Sequence, residues 1–197
     1  MFAELRSSFR PAVVVLLALT LMTGIAYPLA MTGIAQLVLP DQANGSLIRK
    51  SDRVIGSELI GQAFASDRYF HGRPSAAGKD GYDASASAAT NLAPGSKDLR
   101  NAIQGRMADL RAQGLTGPVP PDLVTTSASG LDPHISPEAA LFQIPRVAAS
   151  RKLDPAALRQ LVEHQTEYPM LGFLGEPRVN VLELNRELDR VGAAQKQ

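Results

Sequence analysis

Residues 11–40 read PAVVVLLALTLMTGIAYPLAMTGIAQLVLP, thirty consecutive positions without one Asp, Glu, Lys, Arg or His, and 21 of them are apolar. A helix rises about 1.5 Å per residue and crosses the ~30 Å hydrocarbon layer of a bilayer with about 20 residues. The stretch from Ala12 to Leu39 therefore crosses once with room for tilt, and it is too short to cross twice. Its densest part, Val13–Leu19, also has the length of a signal-peptide core, with Arg6 and Arg10 ahead of it. The nearest small-x-small cleavage candidate is Gly33-Ile34-Ala35, far from that core, and the apolar character continues through Leu37-Val38-Leu39. An uncleaved anchor is expected.

Basic residues lie on both sides of this segment, Arg6 and Arg10 before it and Arg49, Lys50 and Arg53 after it, so the positive-inside rule only tilts toward a cytoplasmic N-terminus. Within it, Gly24, Ala26, Ala30 and Gly33 make a small-residue pattern of the kind that lets another transmembrane helix approach closely. Pro28 is placed to kink the helix. The other 167 residues are about 40% apolar, a proportion that excludes both disorder and an all-membrane protein. Twenty Lys and Arg against nineteen Asp and Glu leave +1 overall. Beyond residue 40 the balance is 18 against 18, so no broad field attracts nucleic acid. The absence of Cys removes disulfides, thiolate nucleophiles, Cys-ligated zinc and iron–sulfur clusters.

Past residue 40, the sequence predicts a loop over 41–51 containing Asn44-Gly45, then a strand around Val54-Ile55 and Leu59-Ile60. Residues 73–96 are rich in Gly, Ala, Ser, Pro and Asn and read as a long loop. Ser96 caps a helix expected from Lys97 to about Gln113, with Gly114 as its stop. Ser136-Pro137-Glu138 and Asp154-Pro155 each place a capping side chain before a proline, which starts helices over 137–151 and 155–167. Tyr168-Pro169 ends the second. Asn180 starts a last helix in which Val181, Leu184 and Leu188 share one apolar face. Such a mixture of helices and short strands is an α+β domain.

Chemistry is sparse. Ser127, Ser129, Asp132 and His134 crowd one segment and suggest a membrane-anchored serine hydrolase, with either Ser as nucleophile and His134 as base. The same residue types are what a turn leading into a Ser136-capped helix demands, and no G-x-S-x-G elbow or S-x-x-K pair occurs. His71, His134 and His164 are the only histidines, and no two stand at metal-ligand spacing. No phosphate-binding glycine loop is present, so no cofactor is bound by an identifiable motif. Two clusters have the rigid amphipathic character of protein contacts. The first holds Tyr69, Phe70, His71 and Arg73, which serve equally as a core aromatic pair with a turn. The second, Leu171–Asn180 with Gly172, Phe173, Glu176 and Arg178 as contact candidates, combines exposed-looking apolar residues, two glycines and an opposite-charge pair, and fits an internal turn or an interface.

Read in order, the anchor, Gly61-Gln62, Tyr69–Ser75, Asn91–Pro94, Asp122–Thr125, Ser129–Ser136, Arg146–Ala148 and Gly175–Leu182 resemble the C subunit of the bacterial Kdp potassium-transporting ATPase over nearly the whole chain. The resemblance implies an accessory, non-catalytic subunit of the inner membrane. Its N-terminal segment 1–10 would be cytoplasmic, its helix would span 11–40, and its domain 41–197 would be periplasmic. Implied partners are a channel-like potassium-translocating subunit, a P-type ATPase subunit and a very small membrane subunit, with lipid around the anchor. Family members are described as needed for assembly and as catalytic chaperones that raise the ATP affinity of the pump subunit, so ATP is expected through the complex.

Overall fold

The computed structural model describes residues 2–50 and 52–194. The chain divides at residue 47 into two compact units.

The first unit is helical. Helix α1 (Phe2–Leu21) continues through a π turn (Met22–Ala26) into α2 (Tyr27–Val38), and a short α3 (Pro40–Ala43) follows. The apolar part, Arg6–Val38, has 33 residues and none of its window is buried, so it presents about 50 Å of helix whose side chains need lipid or an apolar partner. The π turn sits immediately before Pro28. A proline ring collides with the carbonyl one turn earlier and lacks an N–H to bond it, and a π turn absorbs that conflict without ending the helix. Thr23 Oγ1 donates to Leu19 O at 2.7 Å within the same stretch.

The second unit has mixed helix and strand content, as the sequence implies. Strands β1 (Leu47–Lys50) and β2 (Arg53–Ser57) pair with each other. Then comes the long loop, followed by α4 (Lys97–Ala112), a 3-10 turn (Pro121–Leu123), β3 (His134–Ile135), α5 (Pro137–Arg151), α6 (Pro155–His164), β4 (Thr166–Glu167), β5 (Arg178–Asn180) and α7 (Val181–Ala194). The capping expectations hold. Ser96 Oγ accepts from Leu99 N at 3.1 Å, Ser136 Oγ from Ala139 N at 3.2 Å, and Asp154 Oδ1 from Ala156 N at 3.1 Å. Gly114 follows α4 with φ of 79°, the left-handed geometry that ends a helix.

The second sheet was hidden from sequence reading. Its strands are two or three residues long and run β3-β5-β4, both pairs antiparallel, with His134 opposite Asn180, Ile135 opposite Val179, and Thr166 opposite Val179. Helix α6 accordingly stops at His164 rather than 167. Thr166 leaves the helix to pair with β5, while its hydroxyl donates back to Val162 O at 2.8 Å and satisfies an end carbonyl. The core lies where α5, α6 and α7 pack on this sheet and joins Phe70, Ile135, Ile144, Val147, Leu158, Val162, Val179, Leu184 and Leu188. Asn180 stitches three elements: its Oδ1 accepts from Leu182 N and Glu183 N to cap α7, and its Nδ2 donates to Glu58 O.

Candidate partner interface

The Tyr69–Ser75 segment runs extended past α5 and α7, where no strand is available to pair its backbone. Two side-chain amides take that place. Asn185 of α7 accepts from Phe70 N and donates to Phe70 O, both at 2.9 Å. Gln143 of α5 accepts from His71 N at 2.8 Å and donates to His71 O at 3.0 Å. Consecutive residues are thus gripped from two helices, as a central strand is gripped by two neighbours. Buried backbone groups demand partners, and Asn and Gln are the side chains that carry a donor and an acceptor at the right separation.

Arg146, one turn beyond Gln143, reinforces the grip. Its Nη2 donates to Tyr69 O at 3.0 Å and to Gln143 Oε1 at 2.8 Å. Its Nη1 lies 3.3 Å from His71 Nε2 and 3.7 Å from Asp67 Oδ1. Burial and the adjacent Arg146 charge both hold His71 below the ordinary histidine range. Tyr69 points the other way: its hydroxyl donates to Asp189 Oδ2 at 3.1 Å, and the Arg151 guanidinium lies over its ring while also binding Asp189 Oδ1 at 2.7 Å.

Arg73 faces the Ser127–Ser136 segment. Its Nη1 is 3.5 Å from Asp132 Oδ2, and its Nη2 reaches Thr126 O at 3.4 Å. The Tyr82 hydroxyl donates to Arg73 O at 2.5 Å. Burial and then the Asp132 charge push that phenol up to about 12. Burial opposes charge on Asp132, but hydrogen bonds from His134 and the Arg73 charge outweigh it, and the carboxyl is held below its ordinary value. Glycine is required here by proximity. A Cβ on Gly72 would stand 2.5 Å from the Tyr82 hydroxyl, and one on Gly61 would stand 2.6 Å from Asp132 O.

The proposed hydrolytic group resolves into turns. Ser127 Oγ accepts from Gly130 N at 3.0 Å, Ser129 Oγ from Leu131 N at 3.1 Å, and Asp132 Oδ1 from His134 N at 3.0 Å. Nδ1 of His134 faces Asp132 at 3.6 Å, and Ser127 and Ser129 bond backbone N–H groups of their own turn rather than His134. Nor do three or more His, Asp or Glu converge as metal ligands among those residues.

The interface candidates therefore separate. Phe70 has no exposed surface; it is a core residue and cannot be a contact. His71 and Arg73 are half-buried and committed to internal bonds. Tyr69 is half-buried beneath Arg151. Gly172, Phe173, Glu176 and Arg178 are exposed, but the expected Glu176–Arg178 pair gives way to Arg178–Glu167 at 2.9 Å, because β4 and β5 place those two opposite each other. In the anchor, Ala26, Ala30 and Gly33 follow the i, i+4, i+7 spacing of one face. Gly24 lies inside the π turn, two residues before Ala26, and does not fall on that spacing. Sequence reading missed Gln143 and Asn185, although each interrupts an apolar stripe, Asn185 lying between Leu184 and Leu188 on the face that begins at Val181. It also missed Tyr168 and Met170, both exposed, while Leu171 and Leu174 are exposed as the sequence suggests.

These features define a class: an α+β domain joined to an apolar helix that fits a membrane anchor, with motif residues that brace the domain's own loops and apolar side chains exposed at 168–174. The family model described as K+-transporting ATPase, c chain, matches residues 9–190. A potassium-transporting ATPase KdpC subunit of Bradyrhizobium diazoefficiens is 54% identical over 195 residues, covering 93% of this chain and 97% of the relative. A KdpC subunit of Rhodopseudomonas palustris is 55% identical over 191 residues (91% and 96%), and one of Caulobacter vibrioides is 54% identical over 184 residues (93% of each). The chain belongs to the KdpC family of potassium-transporting ATPase subunits.

Proposed function

We propose that this chain is a non-catalytic subunit of an ATP-driven potassium-uptake complex. It would be needed for assembly and act as a catalytic chaperone that raises the ATP affinity of the P-type ATPase subunit. The partners are that subunit, a channel-like potassium-translocating subunit and a very small membrane subunit. The carrying observation is a fully exposed apolar helix joined to a domain in which Ser127, Ser129 and Asp132 each bind backbone of their own turn. Ala26, Ala30 and Gly33 form the face on which a membrane-embedded partner helix packs closely. The anchor lies in the inner membrane with its N-terminus cytoplasmic and residues 41–197 periplasmic. An effect on ATP then passes through the complex as a coupling free energy between distant sites.

Removing residues 41–197 while keeping the anchor tests the role. Assembly or potassium-stimulated ATP hydrolysis in detergent is expected to fall, and undiminished values for both would overturn it. Because the chain has no Cys, Lys79→Cys supplies a single exposed thiol for orientation. Labelling by a membrane-impermeant maleimide added from the periplasmic side is expected; labelling only after the inner membrane is opened would reverse the topology.

A further inference from the structure

Arg49, Lys50 and Ile55 of the β1–β2 hairpin and Arg186, Asp189 and Arg190 of α7 line one cavity of about 390 Å³. Four of these six side chains are cations. The carboxylate among them, Asp189, is already engaged by Arg151 at 2.7 Å and by the Tyr69 hydroxyl at 3.1 Å. Arg186 and Arg190 each pair with a carboxylate of their own helix, Glu183 and Glu187, but a guanidinium carries five N–H donors and one carboxylate does not exhaust them. Arg49 and Lys50 are exposed and have no acidic partner among the described residues. Like charges gathered around one cavity repel until an anion enters it.

Two further observations identify the anion. The first is the length of the tether. Asp41 is the first charged residue after the apolar run, and Ser46 N donates to Asp41 O at 2.9 Å, so residues 41–46 close a tight turn. Arg49 follows three residues later, about 10 Å of fully extended chain. The covalent connection alone therefore keeps these cations within reach of the headgroup layer in which a membrane helix ends. The second is the apolar company of the charges. Val54 and Ile55 of β2 are 43% and 37% exposed, and Leu59 beyond it is 60% exposed, while Arg53 adds a further exposed cation. Basic and apolar side chains displayed together are the signature of a surface that lies at a bilayer interface. An acidic protein face would satisfy the cations and leave the apolar side chains unrewarded. We propose that the cavity between the β1–β2 hairpin and α7 binds the phosphodiester headgroup of an anionic phospholipid, with Arg49 and Lys50 donating to phosphate oxygens and Ile55 against the glycerol stem. This rests on the membrane-anchor reading above. A lipid held there ties the domain to the bilayer surface.

The test places the full chain in lipid nanodiscs of phosphatidylcholine alone or of phosphatidylcholine with phosphatidylglycerol, and reads amide hydrogen exchange over residues 47–57 and 183–190. Phosphatidylglycerol is expected to slow exchange in both segments by about fivefold or more, as a ligand that binds only the closed form does. Raising salt to about 0.5 M, where the Debye length falls to about 4 Å, is expected to reverse most of that slowing. Arg49→Gln with Lys50→Gln is expected to abolish it, and the charge-keeping exchange Arg49→Lys with Lys50→Arg is expected to retain it. Both positions are exposed, so circular dichroism of the variants should match the wild type, and the salt arm on the wild type decides independently of any variant. Exchange that is the same in both discs would overturn the proposal. So would equal slowing by inorganic phosphate in the neutral discs, which would make this a site for free phosphate. Slowing in neutral lipid that appears only when the complete complex is reconstituted would assign the surface to an acidic partner protein and overturn it as well. If alkaline carbonate strips the wild-type chain from membranes, the anchor reading itself fails. If the chain stays anchored and the hairpin ignores phosphatidylglycerol, only the headgroup site fails.

Discussion

Replacing Asn185 by Ala isolates the amide grip on Phe70. The Asn185 side chain is almost fully buried, and its two bonds at 2.9 Å are the partners of Phe70 N and Phe70 O. Truncation leaves both backbone groups facing a cavity too small to admit bulk water. A buried donor or acceptor left unpaired costs about 1–3 kcal/mol, so the pair sums to about 2–6 kcal/mol before any cavity contribution. Phe70 is itself fully buried, which keeps its backbone from turning outward to find solvent. A domain of ~150 residues loses about 2–4 °C of Tm per kcal/mol, so a fall of roughly 4 °C or more is expected. Urea unfolding of the full chain in mild detergent, followed by far-UV circular dichroism, reads the loss against a constant signal from the membrane helix. Amide exchange at Phe70 should accelerate with it. Glu167→Ala is the control: it removes the exposed Arg178–Glu167 pair, and such pairs are worth about 0–1 kcal/mol. A loss for Asn185→Ala no larger than that of the control would refute the reasoning.

Gly72→Ala drives a methyl to 2.5 Å from the Tyr82 hydroxyl and breaks its bond to Arg73 O, with a destabilisation of about 1–3 kcal/mol expected. Adding Tyr82→Phe clears the space, so the double variant should be more stable than Gly72→Ala alone, and strict additivity in urea unfolding would count against the contact. His71 is held below its ordinary value in the folded chain, so the unfolded chain takes up the proton first. Its contribution is therefore complete above the unfolded pKa of ~6.5 and is lost as pH falls from there toward the folded value. His71→Gln should flatten the stability profile between pH 7 and 5, and an unchanged slope there would show that another group sets it. Asp132 acts in a separate window below about pH 4, since its folded value is also lowered.

How much of this was readable in advance follows from range. The anchor, α4, α5 and the start of α7 depend on local signals, an uncharged run and a cap followed by apolar periodicity, and these survive in the folded chain. Strands β3, β4 and β5 do not, because two or three residues carry no period and their pairing joins positions more than 40 apart for β3 and β5. The sequence of the Tyr69–Arg73 segment fits a core aromatic pair and a partner contact equally, for the same reason. Its backbone partners, Gln143 and Asn185, lie 72 and 115 residues away, and nothing in the segment announces them. By contrast, Leu171, Phe173 and Leu174 are legible as exposed because glycines and a charged pair surround them, while the positive φ of Leu171 is visible only in three dimensions.

The neutrality of the domain bears on how the subunit attaches. Beyond residue 40 the 18 basic and 18 acidic side chains cancel, and many are tied locally, Arg186 to Glu183, Arg190 to Glu187, Arg178 to Glu167 and Arg151 to Asp189. Steering by charge acts over about a Debye length and weakens with salt, but a surface this balanced offers no long-range field to screen. Two exposed surfaces are apolar: the membrane helix and the loop at 168–175. Attachment through them gains from water released at contact, so the retention of this subunit in its complex should change little between low and physiological ionic strength. A steep loss with salt would instead locate the attachment in charged groups such as Arg49 and Lys50, which have no acidic partner among the described residues.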